Sequence, residues 1–197
     1  MSYVFAIIGL GMWYLRSNMR IIRWGILASL LLMHMLMQAP VWFIIARISD
    51  ILGGSGWHRS EIIDQAINHF DEWWLLGTKS TAHWMATTLA VSPDSADITN
   101  NFVGVGVSGG LITLSIYILV IVYCFKSVGE QLKYTKDAEI STRFLLWSLG
   151  VALFAHIVSF MSVGYFDQIV VFWYLLLASI STICISEKKL KLSIKAP

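Results

Sequence analysis

A chain of 197 residues with 57% hydrophobic and only 13% charged side chains lacks the polar groups to cover a soluble domain, which carries about a quarter charged residues. Nine Trp, seven Tyr and ten Phe exclude a disordered chain, and a mean hydropathy of +0.70 points to the membrane. The formal net charge of +2 conceals a division of charge along the chain, and that division carries the orientation.

The first apolar stretch, 3–15, is a partial span: as a helix it rises about 20 Å against a hydrocarbon core of about 30 Å. It reads as the end of a longer helix, and the chain as the carboxy-terminal part of something larger. Met1-Ser2-Tyr3 lacks the basic region of a cleaved signal peptide. A fuller span at 21–37 closes on Gln38-Ala39-Pro40, where proline ends or kinks a helix, and 40–46 continues its apolar character. Three further spans lie at 102–125, 144–166 and 169–185. Cys124 and Cys184 fall inside such runs, where a thiol is a small buried hydrophobe rather than part of a disulfide framework or zinc site.

Lys and Arg mark the cytoplasmic side of a membrane protein. Arg16, Arg20 and Arg23 sit beside the first loop, Lys126, Lys133, Lys136 and Arg143 in a later one, and Lys188, Lys189, Lys191 and Lys195 in the tail. The opposite side holds only Arg47, Arg59 and Lys79, against Asp50, Glu61, Asp64, Asp71, Glu72, Asp94, Asp97 and Asp167. The expectation is one all-α polytopic transmembrane helix bundle over 1–197, multi-pass, with a cytoplasmic carboxy terminus and segment 48–101 facing out. The basic tail is a positive-inside feature and gives nucleic-acid binding no support.

Segment 48–101 is the one place with enough polar residues for chemistry. It opens on Gly53-Gly54-Ser55-Gly56, a loop signal, and then places Ile62, Ile63, Ala66, Ile67, Phe70, Trp73 and Trp74 at helical spacing. The prediction is an amphipathic helix, stopped by Gly77, with its apolar stripe against the spans or in the headgroup zone. Trp57, Trp73, Trp74 and Trp84 suit an interfacial belt. A loop runs through Pro93, and Asp97 to Asn101 leads into a span bearing Gly104, Gly106, Gly109 and Gly110, small residues that allow close approach.

These residues in this order resemble the carboxy-terminal half of the O-antigen ligase and polymerase superfamily of bacterial inner-membrane glycosyltransferases. In that family the outer loop opens with Gly-Arg and closes with Pro-Leu-Leu-Gly-x-Gly. Here His58-Arg59 opens it and Trp74-Leu75-Leu76-Gly77-Thr78 closes it, with Trp74 in the proline's place. The family's second motif is His, a polar residue, nine residues, Gly, two residues and Gly, Thr or Tyr. Thr99-Asn100, Gly110 and Thr113 keep that spacing, with Thr99 where the family has its histidine. The resemblance covers roughly 41–125. It implies transfer or polymerisation of a glycan taken from an undecaprenyl-diphosphate carrier at the bacterial inner membrane, with neither cofactor nor metal. The alternative is a non-catalytic or truncated membrane subunit assisting polysaccharide assembly or export. Thr99 speaks for that alternative, and the retained arginine for the enzyme.

In the enzymatic reading Arg59 is the diphosphate anchor, since a guanidinium grips phosphate oxygens in pairs. Arg47, Lys79 and Asn100 complete the substrate-binding candidates, although Arg47 also suits snorkelling and Lys79 sits in no P-loop. His58, His69 and His83 are the catalytic candidates, any of which can take the missing histidine's place as base. On a continuous helix His58, Glu61, Gln65, His69 and Glu72 share a polar face, and His83-Trp84 lies in the loop above it. Histidine and carboxylate ligation of zinc is conceivable there, but no recognised spacing such as His-Glu-x-x-His occurs. His34 and His156 lie within spans and read as hydrogen-bonded residues of the bundle, and Met33, Met35 and Met37 as ordinary packing residues. The partners implied are the lipid-linked glycan donor, membrane lipids and other polysaccharide-assembly membrane proteins.

Overall fold

The computed structural model describes residues 2–44, 46–47, 56–85, 90–92 and 94–195. Asp50 and the loop residues 53–55 lie outside them. Helix α1 (Ser2–Gly11) passes through a 3-10 segment (Met12–Asn18) into α2 (Met19–Leu36). A short 3-10 turn (Val41–Phe43) leads to α3 (Gly56–Asn68) and the single turn α4 (Phe70–Trp73). A further 3-10 turn (Ala82–Trp84) precedes a small antiparallel hairpin, β1 (Ala90–Ser92) and β2 (Ser95–Ala96). Three helices follow: α5 (Asn101–Tyr134), α6 (Ile140–Phe160) and α7 (Gln168–Lys195).

Three helical stretches are long and apolar enough to cross a membrane: Tyr3–Leu36, Asn101–Tyr134 and Ile140–Phe160. Gln168–Ile183 is a shorter apolar helix. The first stretch differs from the sequence reading. Between 3–15 and 21–37 the chain stays helical, so Arg16 lies in a 3-10 segment and Arg20 and Arg23 on α2. The whole stretch has 34 residues. Helix α2 buries none of its residues, and Ile21, Leu31, Met35 and Leu36 are all more than three-fifths exposed. A soluble surface rarely carries an apolar area of that extent, whereas lipid covers it at no cost.

The chain forms two compact units. One comprises Tyr14–Ser115 and Phe160–Gly164. Its core is Ala66, Trp73, Trp84 and Val107, with Met85, Ile98, Val103 and Leu114 packed against it. The Trp73 indole donates to the Ala66 carbonyl at 2.7 Å, so burial of its ring leaves no orphaned N–H. Ser60, fully buried, ties α3 to the preceding turn by bonding the carbonyls of Trp42 and Gly56. Thr81 does the same for the hairpin: its hydroxyl accepts from the Ala96 N–H, and its own N–H donates to Asp94. The predicted amphipathic stripe is therefore split. Ile62, Ala66 and Trp73 are buried, while Ile67, Phe70 and Trp74 stay exposed beside Leu75 and Leu76.

The second unit comprises Met1–Trp13, Ile116–Ser159 and Tyr165–Pro197. Trp13 meets Phe144 and Trp147 edge-on, and the Trp147 indole donates to the Gly9 carbonyl at 3.0 Å. A Cβ on Gly9 would lie 2.8 Å from Val151, so α1 approaches α6 as closely as glycine permits. His156 bonds the Tyr165 hydroxyl at 2.6 Å and lies against Trp173, a satisfied packing histidine. In the first unit His34 accepts the Val41 N–H at 3.4 Å.

Candidate functional site

The site is built on a break in α5. Gly110 has φ +76° and ψ −179°, which no helical residue adopts, so the helix is two helices joined at a kink. A straight helix would bond the Leu111 N–H to the Val107 carbonyl. Here both groups turn to the segment after α4: Leu111 donates to the Trp74 carbonyl at 2.7 Å, and Thr78 donates to the Val107 carbonyl at 2.7 Å. One helical bond is exchanged for two across the contact, which is how a broken helix avoids burying unpaired backbone groups. Gly77 (φ +83°) and Gly110 face each other across it. A Cβ on Gly110 would collide with the Leu75 carbonyl oxygen, and one on Gly77 with that of Val107. Gly106 makes room for the Trp73 ring. The glycine-bearing span thus serves the turn at 74–78, and the two segments that carry the resemblance meet backbone to backbone.

A cluster of titratable groups joins residues on both sides of this turn. The α3 helix breaks at His69, whose φ of −104° and ψ of +30° start the new turn α4. His69 Nδ1 donates to the Gln65 carbonyl at 3.0 Å, leaving Nε2 as a free lone pair. The Glu72 carboxylate accepts from His83 Nε2 at 2.9 Å and from the Trp84 indole at 3.0 Å, one bond to each oxygen. Trp84 is buried and stacks on the His69 ring, with centroids 5.4 Å apart and planes inclined by 18°. His69 and His83 meet edge-on at 5.3 Å. The hydrogen bond from His83, then that from Trp84, holds the Glu72 carboxyl below its ordinary value. The His83 side chain is half exposed, so the cluster has a buried floor and a mouth open to solvent.

The other candidates stand apart. His58 is directed into the fold: Nε2 meets the Asp97 carbonyl at 3.2 Å, and Nδ1 is buried with no partner. Asn100 is buried and caps α5, its Oδ1 accepting from the N–H groups of Phe102 and Val103, with Nδ2 donating to Met161. Thr99 Oγ1 is buried and unpartnered. Arg59 is half-buried on the first turns of α3, while Arg47 and Lys79 are exposed. No hydrogen bond or ion pair among the described residues brings these three cations together.

Thr81 was not among the residues singled out for chemistry, and Trp84 was read as part of an interfacial belt. Glu72 was legible as one of a polar face; its meeting with His83 across eleven residues depends on the Thr81 turn, which has no sequence signature. No protein-family profile matches the chain, and no curated protein or solved structure is similar to it.

Proposed function

We propose that the chain is a membrane glycosyltransferase-like protein of surface-polysaccharide assembly, using an undecaprenyl-diphosphate-linked glycan. The observation that carries this reading is the His83–Glu72 pair, an imidazole held by a carboxylate two residues before the turn that meets the Gly110 kink. The segment 56–100 faces outward from the bacterial inner membrane, with the carboxy terminus in the cytoplasm, as the distribution of Lys and Arg suggests.

The chemistry follows from the groups. An acceptor hydroxyl attacks the anomeric carbon, its proton passes to a base, and the bond from that carbon to the diphosphate oxygen breaks. His83 is the base: with Nε2–H held by Glu72, Nδ1 presents a lone pair on an exposed ring. The diphosphate departs with the electron pair, and a guanidinium such as that of Arg59, on the first turns of α3, is the kind of group suited to hold its charge. His58 is too enclosed for this work and His69 stands as the cluster's third member.

A second reading, a non-catalytic membrane subunit that assists assembly or export, is favoured by Thr99, since a threonine hydroxyl is no base at neutral pH. Arg59→Ala and His83→Ala, in cells that need the gene for surface glycan, separate the two. Loss of the base slows transfer about 10²- to 10⁴-fold, so glycan display falls away at normal protein levels in the enzymatic reading. Unchanged display in both variants overturns it.

A further inference from the structure

We propose that His69, Glu72 and His83 form a binding site for a divalent transition-metal ion of the zinc class, with a fourth coordination position open to solvent. Two imidazoles and one carboxylate are the ligand types zinc takes, and three protein ligands with an open position are typical of sites that act on a substrate. The ligand atoms of the three residues all lie within 4.8 Å of one another. Zinc–ligand bonds of about 2.0–2.1 Å in a tetrahedron set ligand atoms about 3.4 Å apart. His83 Nε2 and Glu72 Oε1, at 2.9 Å, need only separate slightly, and His69 must close by at most about 1.4 Å. Side-chain rotation supplies both movements, because His83 and Glu72 lie at the open mouth.

The surrounding bonds argue for ligation beyond proximity. A metal-bound histidine almost always donates its other ring N–H to a carbonyl or carboxylate, which fixes its tautomer. His69 already does so through Nδ1 to the Gln65 carbonyl, and the free Nε2 is the atom a metal needs. A ligating carboxylate is itself held by hydrogen bonds, and the indole of buried Trp84 holds Glu72 Oε2, leaving Oε1 to the ion. On binding, the ion takes the place of the proton between His83 Nε2 and Glu72. Nδ1 of His83 then carries the proton, so the zinc-loaded cluster and the metal-free one with its Nδ1 lone pair are alternative states. The inference stands on the cluster's geometry and does not require glycan transfer.

Purified full-length protein in detergent, without a polyhistidine tag, is stripped with EDTA, equilibrated with zinc and assayed for bound metal. The expected result is about one zinc per chain, with His69→Ala, His83→Ala and Glu72→Gln each binding at least about tenfold more weakly. Trp84→Phe, which touches no metal, also weakens binding about tenfold through the released carboxylate, while His34→Ala binds normally. Cobalt in place of zinc gives the intense visible bands of a tetrahedral site in the parent protein and not in the three ligand variants. Thermal unfolding in EDTA identifies any variant that fails to fold, and Glu72→Gln, which keeps an acceptor for Trp84, stands in for it. No stoichiometric zinc, or zinc retained equally by all three folded variants, overturns the proposal.

Discussion

Glu72 shows how much one carboxylate can organise when it receives a bond on each oxygen. His83 and Trp84 reach it from the turn that Thr81 anchors to the hairpin, so the local chain path and the charge arrangement stabilise each other. Its carboxyl ionises more easily folded than unfolded. The stability this adds is therefore fully present above the ordinary value of 4.5 and is lost as pH falls through the depressed one. Glu72 is largely exposed, and solvent screens the pair, so the effect is local rather than global. In metal-free protein the Trp84 indole proton resonance is expected to shift with a midpoint below 4.5, and Glu72→Gln to abolish that step. A midpoint at or above 4.5 contradicts the arrangement.

At the scale of elements, the exchange of one helical bond for two at 107–111 is the feature on which the site depends. Glycine is required at both sides for two reasons: positive φ costs other residues about 1–2 kcal/mol, and a Cβ would strike a carbonyl oxygen of the partner segment. Gly77→Ala and Gly110→Ala are each expected to lower stability by more than about 2 kcal/mol, seen as a lower midpoint of thermal unfolding in detergent. Gly104→Ala is the contrast. Its Cβ would meet nothing closer than Ile98 at 3.9 Å, and alanine gains about 0.5–1 kcal/mol in a helix. Equal midpoints for all three variants would show that the kink contact bears no strain.

The glycine stripe was legible in the sequence as a place of close approach, but its partner was not. Sequence suggested another span, whereas the residues that come close are Leu75, Trp73 and the turn itself. The polar face of α3 was likewise legible, yet only as far as His69. Nothing in Asn68-His69-Phe70 announces the break, because no glycine or proline marks it and the interruption is a change of turn rather than a stop. His58, at the start of α3, meets Asp97, whereas His69 and Glu72 come together at its far end. The apolar helices were the most legible feature, since their composition alone decides them, and three meet the length and hydropathy a membrane demands. The joining of 3–15 to 21–37 was missed because Arg16, Arg20 and Arg23 look like loop residues.

For the molecule as a whole, the functional reading depends on which side of the bilayer the 56–100 segment occupies. A polyprenyl-diphosphate donor used at the outer face can meet His83, Glu72 and Arg59 only if that segment is outside. A single cysteine at Ser80, an exposed position, reports it once Cys124 and Cys184 are replaced. In intact cells stripped of the outer barrier, the account predicts that a membrane-impermeant thiol reagent labels Ser80→Cys without permeabilising the inner membrane. Labelling that requires permeabilisation would place the cluster in the cytoplasm and contradict it.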